Sequence, residues 1–260
     1  MRDRKRLSPT ARVLVSVLSV AAWLGIWHYF SAKVGQELLL PSPRAVFERF
    51  FELCGQKEFW LQTFGSLERI LTGFALAFLV GCVLSVLMHL SEFVKEFMRP
   101  FLTVVKATPV PSFIILALVW MKSDKMPVFI AFLMVLPAVC ANLSEGLANV
   151  DSRLVEMAKV YRVRGAKLVG AVYIPSVMPY MLAAARTGLG LAWKAGVAAE
   201  VIGRTRDSIG LMLYESKLYL ETVDLFAYTV TVVLLSCAIE LVLAGAAKLA
   251  ARMEVTSGGN

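Results

Sequence analysis

Apolar residues in this chain come in long unbroken blocks rather than at alternating positions. A hydrocarbon core about 30 Å thick takes about 20 apolar residues as a helix. Six blocks have that character: 13–30, 70–90, 100–121, 127–148, 178–203 and 225–247. The pattern predicts an all-α integral membrane protein of about six transmembrane helices. The first block is long for a secretory signal, lacks a small-x-small cleavage site and is followed by five more, so it reads as a membrane helix. The segment between the first two blocks has a different rhythm. In LPSPRAVFERFFEL, Ser42 can cap a helix with Pro43 at its first position. Val46, Phe47, Phe50, Phe51 and Leu53 then recur at helical spacing, with Arg44, Glu48, Arg49 and Glu52 on other faces. This predicts an amphipathic helix that lies at the outer interface or packs against the spans.

Composition agrees with the blocks. Of 260 residues 58% are hydrophobic and only 18% charged, and the mean hydropathy is +0.69. A net charge of +8 would suggest nucleic acid in a soluble chain. In a membrane protein it marks cytoplasmic loops and anionic lipid, so no nucleic-acid partner is expected. Arg2, Arg4, Lys5, Arg6 and Arg12 place the N-terminus in the cytoplasm, and six spans return Lys248 and Arg252 to the same side. The expected organisation is a cytoplasmic tail at 1–12, one transmembrane domain at 13–250 and a second cytoplasmic tail at 251–260. Cys54, Cys82, Cys140 and Cys237 show no disulfide or metal spacing and read as small packing residues. His28 and His89 stand near block ends as interface residues. No metal site, cofactor or catalytic constellation is legible.

Two blocks carry residues that a passive span avoids. The third contains KATPVPS, with Lys106, Pro109 and Pro111; each proline removes a donor and kinks a helix, and the freed carbonyls need water or protein partners. The kink lines a pathway or serves packing. The fifth contains AAARTGLGLAWKAGVAAEVIG. Its small residues, Gly188 and Gly190 among them, allow close helix approach. It also holds Arg186, Lys194 and Glu200, and an ion at mid-membrane costs roughly 2.5 to 3.5 kcal/mol. Arg186 and Glu200 share a helix face but stand about 21 Å apart at 1.5 Å per residue, so they cannot pair. These residues predict a polar path or a subunit interface.

Between the fourth and fifth blocks, EMAKVYRVRGAKLVGAVYIP carries five charges, Glu156, Lys159, Arg162, Arg164 and Lys167. Asp151 and Ser152 can cap a first helix, Gly165 can break it, and Pro175 is expected to stop a second one before span five. A solvated loop has no need of Met157, Val160 and Tyr161. An apolar and basic helical hairpin on the cytoplasmic face, at 151–176, is a docking element.

This stretch resembles the signature of ABC importer permeases: Glu-Ala-Ala, three residues, Gly, nine residues and Ile-x-Leu-Pro. Glu156, Met157 and Ala158 match the opening, with Met for the first Ala. Val172, Ile174 and Pro175 match the close at the right spacing. Arg162 takes the Gly position, and the nearest Gly is Gly165. LPSP at 40–43, SLERILTGFALAFLVG at 66–81, PVPSFIILALVWM in span three and AWKAGVAAEVIG at 192–203 are similar to the nitrate/sulfonate/taurine branch of these permeases. The resemblance implies a multi-pass bacterial inner-membrane permease that pairs with a second copy, so a homodimer. It further implies cytoplasmic ABC ATPase subunits and an extracytoplasmic substrate-binding protein as partners, with 151–176 held in a groove of the ATPase. The solute is expected to be a sulfonate-, nitrate- or taurine-like anion or a thiamine-precursor-like compound. No G-x-x-x-x-G-K-[ST] loop is present, so the chain is no enzyme by itself and a partner hydrolyses ATP. The competing reading is an ion-gradient-driven secondary transporter with Lys194 and Glu200 as coupling sites. Such proteins usually show internal repeats, and none is visible here.

Overall fold

The computed structural model describes residues 8–257, and among them every regular element is a helix. The expected tails at 1–12 and 251–260 reach residues 1–7 and 258–260, which lie outside the described residues. The long α1 (Pro9–Val34) starts at Ser8, whose side chain accepts the Ala11 N–H, and ends at Gly35 with φ +63°. Next comes α2 (Pro43–Cys54), with Ser42 accepting the Ala45 N–H and Pro43 in the first turn, as its sequence predicts. Then α3 (Lys57–Leu90) runs 34 residues, about 51 Å, so it outreaches the bilayer core. It is followed by α4 (Glu92–Ala107), α5 (Val110–Ala117) and α6 (Met126–Ala148). The segment after span four forms α7 (Ser152–Val160) and α8 (Ala166–Leu168) and runs into α9 (Ile174–Gly203). Last come α10 (Ile209–Leu218) and α11 (Thr222–Ser257).

Five helices are long and apolar enough to cross a membrane, or six if the bent pair α4 and α5 counts as one span. The kink expected from the prolines of span three is a sharp one: the chain turns by 102° between α4 and α5. The cause is local. Neither Pro109 nor Pro111 can donate to the preceding turn, and Thr108, held before a proline, is extended at φ −80°, ψ 129°. Two extended residues at Thr108 and Pro109 redirect the axis.

Small residues set the packing. A Cβ on Gly81 would lie 2.7 Å from Val139 Cγ1, and one on Gly73 would collide with Val128 and Ala131. Both positions rise together, so α3 and α6 are parallel. Gly146 packs on Tyr180 and Gly188 on Val135, so α9 is antiparallel to α6. Because α3 and α6 are parallel, the chain must return across the bundle between them, and α4 with α5 is the segment that does so. Ile70, Val135, Val139, Ala184 and Trp193 form the buried core among these three helices. A second cluster, of Val46, Leu53, Phe59, Ile209 and Tyr228, ties α2 to the starts of α3 and α11. Arg49 fastens it with two bonds to Asp224, at 2.7 and 2.9 Å. Those bonds, joined by Glu52, raise the Arg49 guanidinium further above its usual range. Phe51 on the same helix is 69% exposed, so α2 both packs and presents an apolar edge.

Within the single chain Gly190 meets open space, which fits a path or interface position, and the crowded positions of α9 are Gly188 and Gly196, the latter with Ile70 Cγ1 at 2.5 Å from a built Cβ. One packing expectation needs correction. Cys237 is exposed on α11 rather than packed.

Candidate functional site

The bundle has two ends. One carries the α3–α4 turn, the end of α6 and the 151–176 segment; Asn149 donates to the Tyr180 hydroxyl there at 3.2 Å. At this end Asp151 accepts the Arg153 N–H at 2.8 Å and starts α7. The helix then closes in a six-residue motif: Val163 N–H bonds Ala158 O at 2.8 Å and Arg162 N–H bonds Lys159 O at 3.0 Å. That pattern needs a left-handed residue, usually Gly, just after the cap. Arg162 occupies it with φ +58°. The sequence suggests that an arginine cannot imitate glycine here; the backbone adopts the glycine conformation regardless, at roughly 1 kcal/mol of local strain. Gly165 follows with φ +61° and precedes α8, but α7 has already ended at Val160, so the break expected at Gly165 falls at Arg162 instead.

Pro175 does not stop a helix, contrary to expectation. It sits in the first turn of α9, and the chain passes from α8 into α9 through a π-turn at Val169–Tyr173, with Ile174 N–H bonded to Val169 O. Proline cannot bond the carbonyl four residues back, and the wider turn spares the chain that bond. The hairpin is thus continuous with span five.

The side chains divide cleanly. Ala158 and Val172 are buried and seat the hairpin on the bundle. Val160 is 80% exposed and Tyr161 76%, and Met157 and Ile174 are exposed beside them. Glu156, Arg162 and Pro175 are exposed as well. Glu156 lines a cleft of about 320 Å³ with His89, Lys159 and Tyr173. Among the described residues it makes no ion pair. Val160 and Tyr161 thus leave apolar surface uncovered within this chain at the end of the capped helix α7.

The proposed path residues fall into two sets. Lys106, Arg186 and Lys194 are exposed, as is Pro109, and Pro111 is exposed beside the bend. Glu200 is fully buried at the opposite end of the bundle. It accepts from Ser66 Oγ at 2.8 Å and from Gly210 N–H at 3.3 Å, with Arg69 Nε 3.5 Å away. Ser66 Oγ also accepts the Ile209 N–H at 3.0 Å. Arg186 and Glu200 share a helical face, yet α3 and α10 cover only the Glu200 end of it. This network escaped the sequence reading. Its signal was a lone carboxylate in an apolar run, with Ser66 and Arg69 at i and i+3 near the start of another. Among the described residues no cluster of metal-ligating side chains is present.

Residues 73–254 match the family described as binding-protein-dependent transport system inner membrane component. A probable ABC transporter permease protein of Brucella melitensis is 28% identical over 219 residues, covering 84% of this chain and 88% of its own. A nitrate import permease protein of Synechocystis is 27% identical over 217 residues, 78% of each chain. A taurine transport system permease protein of Escherichia coli is 25% identical over 237 residues, 88% of this chain and 86% of its own.

Proposed function

The chain belongs to the family of binding-protein-dependent transport system inner membrane components, and from that premise we propose that it carries a small anion across the inner membrane and docks a cytoplasmic ATPase through residues 151–176. It is the permease subunit of an ABC importer and no enzyme; hydrolysis belongs to a separate subunit. The observation that carries the docking assignment is the exposed Val160–Tyr161 tip beside a helix end held in the glycine geometry. An apolar groove on the ATPase takes these two side chains, Glu156 pairs at its rim, and the basic residues Lys159, Arg164 and Lys167 face the partner. The π-turn then passes the partner's motion into α9.

Relatives named for nitrate, taurine and bicarbonate import support an anionic solute over a thiamine precursor. A substrate-binding protein delivers it at the end of the bundle that carries Arg204, Arg206 and α10. A second copy of this chain completes the path, with Gly190 and the open face of α9 turned toward it. Gradient-driven transport through Glu200 is disfavoured, because that carboxylate is closed off and held by Ser66 and Gly210.

The test is a double substitution, Glu156→Ala with Tyr161→Ala. It should leave the permease in the membrane, abolish copurification of the ATPase or uncouple hydrolysis from uptake, and cut uptake at least tenfold. Unaltered uptake would remove the docking role from the whole segment.

A further inference from the structure

The surface of α4 divides into three stripes. Val94, Met98, Leu102 and Val105 pack inward, the first three half-buried and Val105 buried. Phe93, Phe97, Phe101 and Val104 form a second stripe, all exposed, with Phe93 and Phe97 stacked, their ring centroids 6.1 Å apart. Glu92, Lys95, Glu96, Arg99, Thr103 and Lys106 form the third. At 100° per residue each stripe spans about a quarter of the helix. The third runs about 21 Å along the axis. It faces neither the core nor the apolar surround of the second stripe, so it borders water.

Charges along that stripe cancel except at its deep end. Lys95 bonds Glu92 at 2.9 Å and Arg99 pairs with Glu96 at 3.4 Å. Lys106 has no ion-pair partner among the described residues. It opens on a cleft of about 430 Å³ with Thr103 and Arg99 on one wall and Pro137, Cys140 and Ser144 of α6 on the other. Gly188 packs on Val135, so the exposed Arg186 lies at the same level of the bundle as Pro137. That level carries positive charge on α4 and on α9.

We propose that Lys106, with the Ser144 hydroxyl across the cleft, is an anion-selecting site in the translocation path, suited to a small monovalent oxyanion such as a sulfonate, carboxylate or nitrate. The lysine supplies the uncompensated charge, the Ser144 hydroxyl donates to an oxygen, and Thr103, whose own hydroxyl donates to Arg99 O at 2.8 Å, lines the wall of a cleft that admits a solute of a few heavy atoms. The inference rests on the anion-import reading above, and its test needs no knowledge of the natural solute. Phosphate groups of anionic lipids share this chemistry, but Lys95 and Arg99 at the shallow end stand nearer to any headgroup layer. From Lys95 to Lys106 the helix rises about 16 Å.

The experiment uses the complete transporter in vesicles, with Cys54, Cys82, Cys140 and Cys237 replaced and a single cysteine at Thr103→Cys or, on the other wall, Ser144→Cys. The probes are two thiol reagents of similar size, a negatively charged sulfonatoethyl and a positively charged trimethylammonium-ethyl methanethiosulfonate. With Lys106 present the anionic reagent should be favoured. Lys106→Glu should lower the anionic-to-cationic rate ratio about tenfold, and Lys106→Gln by less, while ATPase copurification stays intact. An unchanged ratio in a transporter that still binds its ATPase overturns the site and leaves the importer reading standing. A cysteine unreactive to both reagents at both positions overturns the water-facing stripe. A preference that vanishes when phosphatidylglycerol replaces phosphatidylcholine assigns Lys106 to lipid and overturns the path site.

Discussion

Arg162 pays a conformational penalty that the other residues of the docking hairpin do not. Its φ of +58° is one that glycine adopts freely and that costs an L-residue about 1 kcal/mol. Arg162→Gly should therefore hold the turn more firmly and slow exchange of the Val163 amide, which bonds Ala158 O, by about fivefold. Faster exchange would mean that the arginine side chain itself holds the turn. The functional outcome separates strain from purpose. If the guanidinium reaches an acidic group on the ATPase, Arg162→Gly stabilises the turn yet weakens coupling, and Arg162→Glu weakens it further until a basic residue on the partner restores it. If the side chain only meets water, both variants transport at the parental rate.

Helix pairs here are fixed by a few contacts, and those contacts give element-scale predictions. Gly196 has no room beside Ile70, so Gly196→Leu should part α3 from α9 and lower stability by about 2 kcal/mol, read as a drop in the unfolding midpoint in detergent. Gly190→Leu fits within the chain, and any loss of dimer it causes reports on the second copy. Glu200 joins α9 to α3 and α10. Glu200→Ala leaves the Ser66 hydroxyl and the Gly210 N–H without their acceptor and Arg69 without its ion-pair neighbour, and should cost about 2 to 3 kcal/mol, while Glu200→Gln keeps an acceptor oxygen and should cost less. Equal midpoints for Glu200→Ala and the parent would show the network to be dispensable for folding.

The elements were legible in uneven measure. Apolar block length gave the crossings and Ser42-Pro43 gave the start of α2, because both signals are local. The 102° bend was seen as a kink only, since proline spacing records lost hydrogen bonds but not the direction taken afterwards. Pro175 misled, because a proline that ends one helix and a proline that opens another look alike until the π-turn is seen. The crowding of Gly196 rather than Gly190 was invisible, because it depends on where Ile70 arrives from another helix. For the site, 156–162 stood out as charges between apolar runs, joined by Met157, Val160 and Tyr161 that a solvated loop has no need of, whereas the Glu200 network needed residues 134 positions apart.

The largest-scale prediction concerns which end of the bundle faces which compartment. Parallel α3 and α6, antiparallel α9, and the contact of Trp193 Nε1 with Val232 O at 3.0 Å send α11 away from the α10 end and toward the end that carries 151–176. At the α10 end Trp27 of α1 stacks on Phe226 of α11, with centroids 5.8 Å apart, so α1 finishes where α11 begins. Arg153, Lys159, Arg162, Arg164 and Lys167 crowd into the hairpin at the opposite end. Basic residues in short loops are retained in the cytoplasm, and that end is the one an ATPase must reach. Single cysteines at Ser8, Ser152 and Ser257, in a chain cleared of its own four, should therefore resist an impermeant thiol reagent in intact cells and react once the membrane is opened. Arg206→Cys, beyond the end of α9, should react without permeabilisation. The four positions make the result decisive. Labelling of Ser152→Cys in intact cells would invert the molecule and remove the ATPase contact, whereas labelling at Ser8→Cys alone would displace α1 and leave the docking end where it is.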